Sequence, residues 1–249
     1  MFYWRSTIPG TDARRSVDVA FTGRSAGRGE GPYAGLDLGG QVGDGIGAVE
    51  QNRAALAASL DLPRERLVFL NQVHGTDVVA AQGPWQGPPP EADAVVSSAP
   101  GLALVVLVAD CVPVLLHDVQ AGVVGAVHAG RPGMLAGIVP RAVEAMRTLG
   151  ADRVTAVVGP SVCGRCYEVP GEMVHQAASV APSSVTTSWS GTPAIDVGAG
   201  VVEQLTRLDV TVERVDGCTR ESEDLYSYRR DHTTGRFAGV VVLRDQADR

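Results

Sequence analysis

ADAVVSSAPGLALVVLVADCVPVLLHDVQAGVVGAVHA, residues 92–129, decides the fold. It contains four short runs rich in Val, Leu and Ala: ADAVVSS, LALVVLVA, VPVLLHD and GVVGAVHA. Each run is bounded by turn residues and is rich in the β-branched side chains that favour strands. The runs are nearly continuous in apolar residues instead of alternating with polar ones. Such strands are expected to be buried on both faces.

Further strands are expected on either side, at 17–22 (VDVAFT), 66–70, 77–82 (DVVAAQ), 153–159 (RVTAVVG) and 236–244 (RFAGVVVLR). Helical periodicity marks 47–60, with Val49, Leu56 and Leu60 on one side and Pro63 just past the end. It also marks 134–149, 171–180 and 196–208. Pro140 should kink the second of these helices or mark its true start. A glycine-dense loop (23–45) and a proline-rich one (83–93) interrupt the pattern. There is no internal repeat and no clear linker, so strands and helices mixed throughout predict one α/β domain over residues 1–249.

The formal net charge is −7, lysine is absent, and no arginine stripe forms, which argues against a nucleic-acid-binding role. The longest apolar stretch, Leu102 to Ala109, is far too short to cross a membrane. The opening MFYWRSTIPG has no basic segment followed by an apolar core, so no signal peptide is read and a cytoplasmic location is expected.

Three apolar strands end on or near a metal-ligand type: His74 in NQVHG, Cys111 in VADCVPV and His128 in AVHAG. Two imidazoles and a thiolate form a borderline-soft set that suits zinc, with copper the lesser alternative. Three protein ligands also leave a fourth position open, as catalytic sites do. Asp110 interrupts an apolar run, and a buried carboxylate needs a partner, so it is a candidate to orient an imidazole or relay a proton. After His128 a Gly-rich turn leads into a helix, an arrangement suited to anions. His117 and His175 read as surface or satisfied core residues. His232 lies in YSYRRDHTTGR, where Arg229, Arg230 and Arg236 either clamp an anion or form a local network with Asp231. Cys163 and Cys166 form a lone CxxC, read as structural thiols in a turn, with zinc or redox use as alternatives.

Together these segments resemble the multicopper polyphenol oxidase/laccase-domain family, whose better-supported role is purine nucleoside phosphorolysis. The resemblance rests on NQVHG (71–75), ADAVVS (92–97), ADCVPVLL (109–116), HAG (128–130), GP…CYEV (159–169) and SYRRD…TGR (227–236). It implies a mixed α/β fold in a four-layer α/β/β/α arrangement with mixed sheets, and zinc at His74, Cys111 and His128. The implied reaction is phosphorolysis of adenosine, inosine or methylthioadenosine to free base and ribose 1-phosphate. Some members also deaminate adenosine, chemistry that fits a metal-activated water at the purine six-position.

The implied partners are a purine nucleoside and phosphate, with the chain a monomer or homodimer. Arg24 and Arg131 are candidates for phosphate, and Asn71 and Gln72 for the nucleoside. One departure is HAGRPG at 128–133, where the family has HAGWRG: Arg131 replaces the Trp, and Pro132 replaces the Arg and removes an N–H. Another is Asp37, where the family often has Asn. Two alternatives follow: a cysteine hydrolase or amidase with Cys111 as nucleophile and His128 as base, and a scaffold without activity. Polyphenol oxidation ranks below both, because one three-ligand site cannot supply several copper centres.

Overall fold

The structure, a computed structural model, describes residues 1–11 and 14–245. Its strands are β1 (Phe2–Pro9), β2 (Arg15–Thr22), β3 (Leu67–Val68), β4 (Val78–Ala80), β5 (Ala94–Ser97), β6 (Ala103–Val108) and β7 (Val112–Asp118). They continue with β8 (Val123–Ala129), β9 (Thr155–Val158), β10 (Val185–Thr187), β11 (Pro193–Ile195), β12 (Thr211–Arg214) and β13 (Phe237–Asp245). The helices are α1 (Ile46–Ser59), α2 (Arg131–Ala136), α3 (Ile138–Thr148), α4 (Gly171–Val180), α5 (Val197–Thr206) and α6 (Tyr228–Asp231).

Two mixed sheets stack face to face. One runs β1-β2-β13-β6-β3, the other β12-β9-β7-β8-β5-β4, and β10 and β11 form a small hairpin apart. Phe21, Leu104, Val106 and Val241 of the first sheet meet Leu115, Val124, Ala126 and Val157 of the second. On the outer side of the first sheet, Val105, Val240 and Val242 pack against Leu56 and Ala57 of α1. On the outer side of the second, Val114, Leu116 and Val127 pack against Ile138, Val143, Met146 and Val201 of α3 and α5. The result is the expected α/β/β/α layering.

This layering explains the apolar runs at 92–129. In β6, Leu104 and Val106 enter the space between the sheets, while Ala103 and Val105 face α1. Fully burying each large aliphatic side chain contributes about 1.5–3 kcal/mol, so a polar residue on either face would be costly.

Three differences from the sequence reading stand out. The predicted helix over 134–149 is two helices, because Gly137 adopts φ 92 and closes α2 with its backbone N–H before α3 begins. Pro140 falls in the first turn of α3, where its missing N–H leaves no bond unmade. Strands β1, β10, β11 and β12 were not anticipated. β1 is a half-exposed edge paired only with β2, and the other three are three or four residues long, so none carries a strong period-two signal. His117 is buried in β7, the core alternative of its two readings, but its Nε2 has no partner where a satisfied ring was expected; burial pushes its pKa down to about 4. His175 on α4 is exposed, as expected.

Candidate active site

Strand register assembles the site. In the antiparallel β7–β8 pair Val112 faces Ala129 and Pro113 faces His128, so Cys111 lies beside Gly130 at the same end of the hairpin. On the other side of β8, Ala94 of β5 faces Val127, which puts Asp93 next to His128. The loop between β3 and β4 brings in His74. The ligand atoms of His74, Cys111 and His128 all lie within 4.8 Å of one another. His74 Nε2 is 3.7 Å from Cys111 Sγ, and the two imidazoles meet edge to face.

A carboxylate not singled out from the sequence organises the cluster. Asp93 is fully buried, and its Oδ1 lies 2.7 Å from His128 Nδ1. The backbone N–H groups of Val73, His74 and Gly75 donate to the same carboxylate at 3.2, 3.0 and 2.6 Å. Four donors offset the cost of burying the charge, and one side chain fixes both histidines. Burial raises the Asp93 pKa, but the His128 contact and the Gly75 and Val73 N–H groups outweigh it and hold the group ionised below the usual carboxylate range. These bonds also hold His74 at φ 60, an uncommon conformation for a residue with a Cβ. Gly130 is needed for a different reason: a Cβ there would sit 2.6 Å from His74 Cδ2 and 3.2 Å from Cys111 Sγ.

Asp110 does not touch an imidazole. Its Oδ1 accepts from the hydroxyls of Thr219 and Ser227, both at 2.6 Å, and its Oδ2 from the Arg229 backbone N–H at 2.6 Å. The carboxylate on an imidazole is Asp93, and Asp110 instead pins the segment 219–229 to the site. Asp110 interrupts an apolar run and Asp93 closes a proline-rich loop, and only strand pairing shows which of them meets His128.

The donor set fits a metal. Asp93 occupies His128 Nδ1, leaving Nε2 for an ion, the usual carboxylate–histidine–metal relay. Nitrogen and sulfur ligands at about 2.0–2.3 Å from zinc, arranged tetrahedrally, are compatible with the observed spacing. Without metal, burial pushes the Cys111 thiol up, but His128 and His74 outweigh it and bring its pKa down to about 6. Burial pushes His128 down, but Cys111 and Asp93 raise it to about 9. The metal-free site is therefore an imidazolium–thiolate pair between these values. Alkylation of Cys111 in metal-stripped protein, followed by peptide mapping, is expected to rise with pH through a midpoint of about 6. A midpoint at the ordinary thiol value would show that the pair does not form.

A cleft of about 1020 Å³ opens from the cluster. Arg131, the first residue of α2, lines it, with its Nε buried and unpartnered. Pro132 sits in the first turn of α2, where an N–H has no helical acceptor. Arg229, Arg236 and His232 also line the cleft. Arg230 does not. Its guanidinium bonds the carbonyls of Thr219, Ser222 and Leu225 and pairs with Asp231, which is the local network considered for this loop; Arg229 and Arg236 also donate to carbonyls, of Glu168 and of Thr234 and Gly235.

Arg24 is not among the cleft's lining residues; its guanidinium lies over the Tyr226 ring at 5.0 Å. Gln72 reaches the wall, but both ends of its amide are tied to the Leu107 backbone at 2.7 Å. Asn71 also lines the cleft and makes longer bonds to Gln41 and Glu91, each 3.3 Å. Asp37 is buried and accepts from the backbone N–H groups of Gly39 and Arg236; burial raises its pKa above the usual carboxylate value.

Residues 18–244 match the family described as multi-copper polyphenol oxidoreductase laccase. The chain belongs to this family. Within it, a purine nucleoside phosphorylase of Streptomyces coelicolor is 54% identical over 237 residues, covering 93% of this chain and 98% of that protein. A purine nucleoside phosphorylase of Escherichia coli is 37% identical over 221 residues, covering 85% and 88%. The crystal structure of a Neisseria meningitidis protein, 31% identical, superposes with a TM-score of 0.83 over 96% of this chain and 99% of that one. Among the described residues no helix is long and apolar enough to cross a membrane.

Proposed function

We propose that this laccase-family chain is a zinc-dependent purine nucleoside phosphorylase. Its substrates would be adenosine, inosine or methylthioadenosine, and adenosine deamination would be a second activity of the same site. The observation that carries this reading is one cleft lined by both a His₂Cys cluster and Arg131. Names of relatives at 54% and 37% identity support it.

Bound zinc would supply Lewis-acid polarisation and lower the pKa of a coordinated water. The chain's own residues do the rest. Asp93 orients His128 and the His74 loop. Arg131, Arg229 and Arg236 are the donors for phosphate, with Arg131 taking over from the arginine that Pro132 replaces. Tyr167, which lines the cleft with Arg229 over its ring at 4.8 Å, is the aromatic candidate for contact with a purine. One three-ligand cluster does not supply the several copper centres of a multicopper oxidase.

The test is product analysis of zinc-loaded protein with adenosine, with and without phosphate. Adenine and ribose 1-phosphate are expected only when phosphate is present. Inosine alone would limit the site to deamination, and no product in either condition would overturn the reading.

One observation favours a second reading. Cys111, His128 and Asp93 also form a nucleophile–base–orienter series, as in a cysteine hydrolase or amidase. That activity would survive a chelator, and the phosphorylase would not.

A further inference from the structure

The CxxC at 163–166 lies in a turn after β9, as expected of structural thiols, but it is not alone there. The Sγ atoms of Cys163, Cys166 and Cys218 and a carboxylate oxygen of Glu221 all lie within 4.8 Å of one another. The two contributing segments share a spacing, Cys163-Gly-Arg-Cys166 and Cys218-Thr-Arg-Glu221.

They also share a turn. The N–H groups of Cys166 and Tyr167 donate to the Cys163 carbonyl at 2.9 and 3.1 Å, and those of Glu221 and Ser222 to the Cys218 carbonyl at 3.2 and 2.9 Å. The Cys163 backbone N–H donates to Cys218 Sγ at 3.4 Å. The Cys166 thiol and Trp189 Nε1 both donate to Glu221 Oε1 at 3.2 Å, so that carboxylate is already turned toward the thiols. All three cysteines are free.

We propose that Cys163, Cys166, Cys218 and Glu221 form a second, closed metal site that binds a zinc ion for structural purposes. Paired two-residue spacings on two facing turns are the usual way a chain encloses tetrahedral zinc. With Zn–S at about 2.3 Å, sulfurs around a tetrahedral ion stand about 3.8 Å apart, and a cluster whose ligand atoms all lie within 4.8 Å of one another has the size for one ion. Binding displaces three thiol protons, and the ion with three thiolates and one carboxylate carries two net negative charges. Arg165 and Arg220, at matching positions in the two turns, supply compensating positive charge.

Such an ion would join two stretches about fifty residues apart in the chain. One turn carries Tyr167 at the cleft wall, and the other carries Thr219, which bonds Asp110. The ion would therefore brace the cleft from behind without touching the substrate.

The test counts zinc per chain, by elemental analysis after zinc loading and dialysis, in the wild type, in Cys111→Ala and in a Cys163→Ser/Cys218→Ser double variant. The expected counts are two, one and one, and chelation should lower the melting temperature of the Cys111→Ala protein by several degrees. Because Cys111→Ala leaves the second site intact, it decides the matter even if the double variant does not fold. One ion in the wild type and none in folded Cys111→Ala would overturn the second site while leaving the proposed function standing. One ion in both proteins would support the second site and count against zinc at Cys111. A zinc-loaded protein lighter by two hydrogens, with a disulfide mapped among these cysteines, would also overturn it.

Discussion

Replacing Cys111 with Ala is expected to remove both the metal held by His74 and His128 and essentially all turnover. In the proposed zinc site the thiolate is one of three ligands, and its Sγ lies 3.7 Å from His74 Nε2. Two imidazoles alone make a much weaker site, and any reaction that depends on the ion loses its electrophile. A fall in kcat/KM of about a thousandfold or more is expected, which corresponds to about 4 kcal/mol of transition-state stabilisation. The fold should survive. Cys111 lies at the margin of the small cluster of Val108, Leu225, Tyr226 and Phe237, where losing one sulfur costs about 1 kcal/mol. Circular dichroism, zinc content and steady-state kinetics on the same preparation separate these effects. Full activity in a folded Cys111→Ala protein would sink both the zinc scheme and the cysteine-hydrolase alternative.

Asp93→Asn is expected to be the most damaging change at a residue that does not itself bind the metal. Asn keeps the shape of Asp but loses its charge, and it puts an NH₂ group where only donors converge. One or more of the N–H groups of Val73, His74 and Gly75, or His128 Nδ1, then loses its acceptor. Outer partners of metal-binding histidines typically govern affinity by about 10–100-fold, and zinc affinity measured by chelator competition should fall on that scale. Thermodynamic stability should fall by about 3 kcal/mol, because charged hydrogen bonds in a buried place are lost. Unchanged zinc affinity would mean that His74 and His128 are held by other contacts.

Several features of the site were legible as residue types at strand ends. His74, Cys111 and His128 each follow or end an apolar run, and all three converge. Arg131 was named as a phosphate candidate from its place after HAG, and it lines the cleft. Arg24 was selected by its place in a glycine-rich loop, but its guanidinium lies over Tyr226, outside the cleft lining. Gln72 was selected as a hydrogen-bonding candidate for the nucleoside, but the Leu107 backbone takes up its amide. Neither outcome has a local signal, because each depends on a neighbour more than thirty residues away or on the path of a long loop.

The sequence by itself determined the two-sided burial of the central strands, the mixing of strands and helices in one α/β domain, and the imidazole and thiol side chains at the strand ends. These follow from composition and period along a few consecutive residues. Only the tertiary structure decided that Asp93 and not Asp110 holds the His128 imidazole and the His74 backbone, and that Cys218 and Glu221 lie against the CxxC. Strand pairing sets Asp93 against His128, and the packing of two loops sets Cys218 against Cys163. The physical reason is that such contacts arise from the summed burial of many distant apolar side chains, and no short stretch of chain carries that sum.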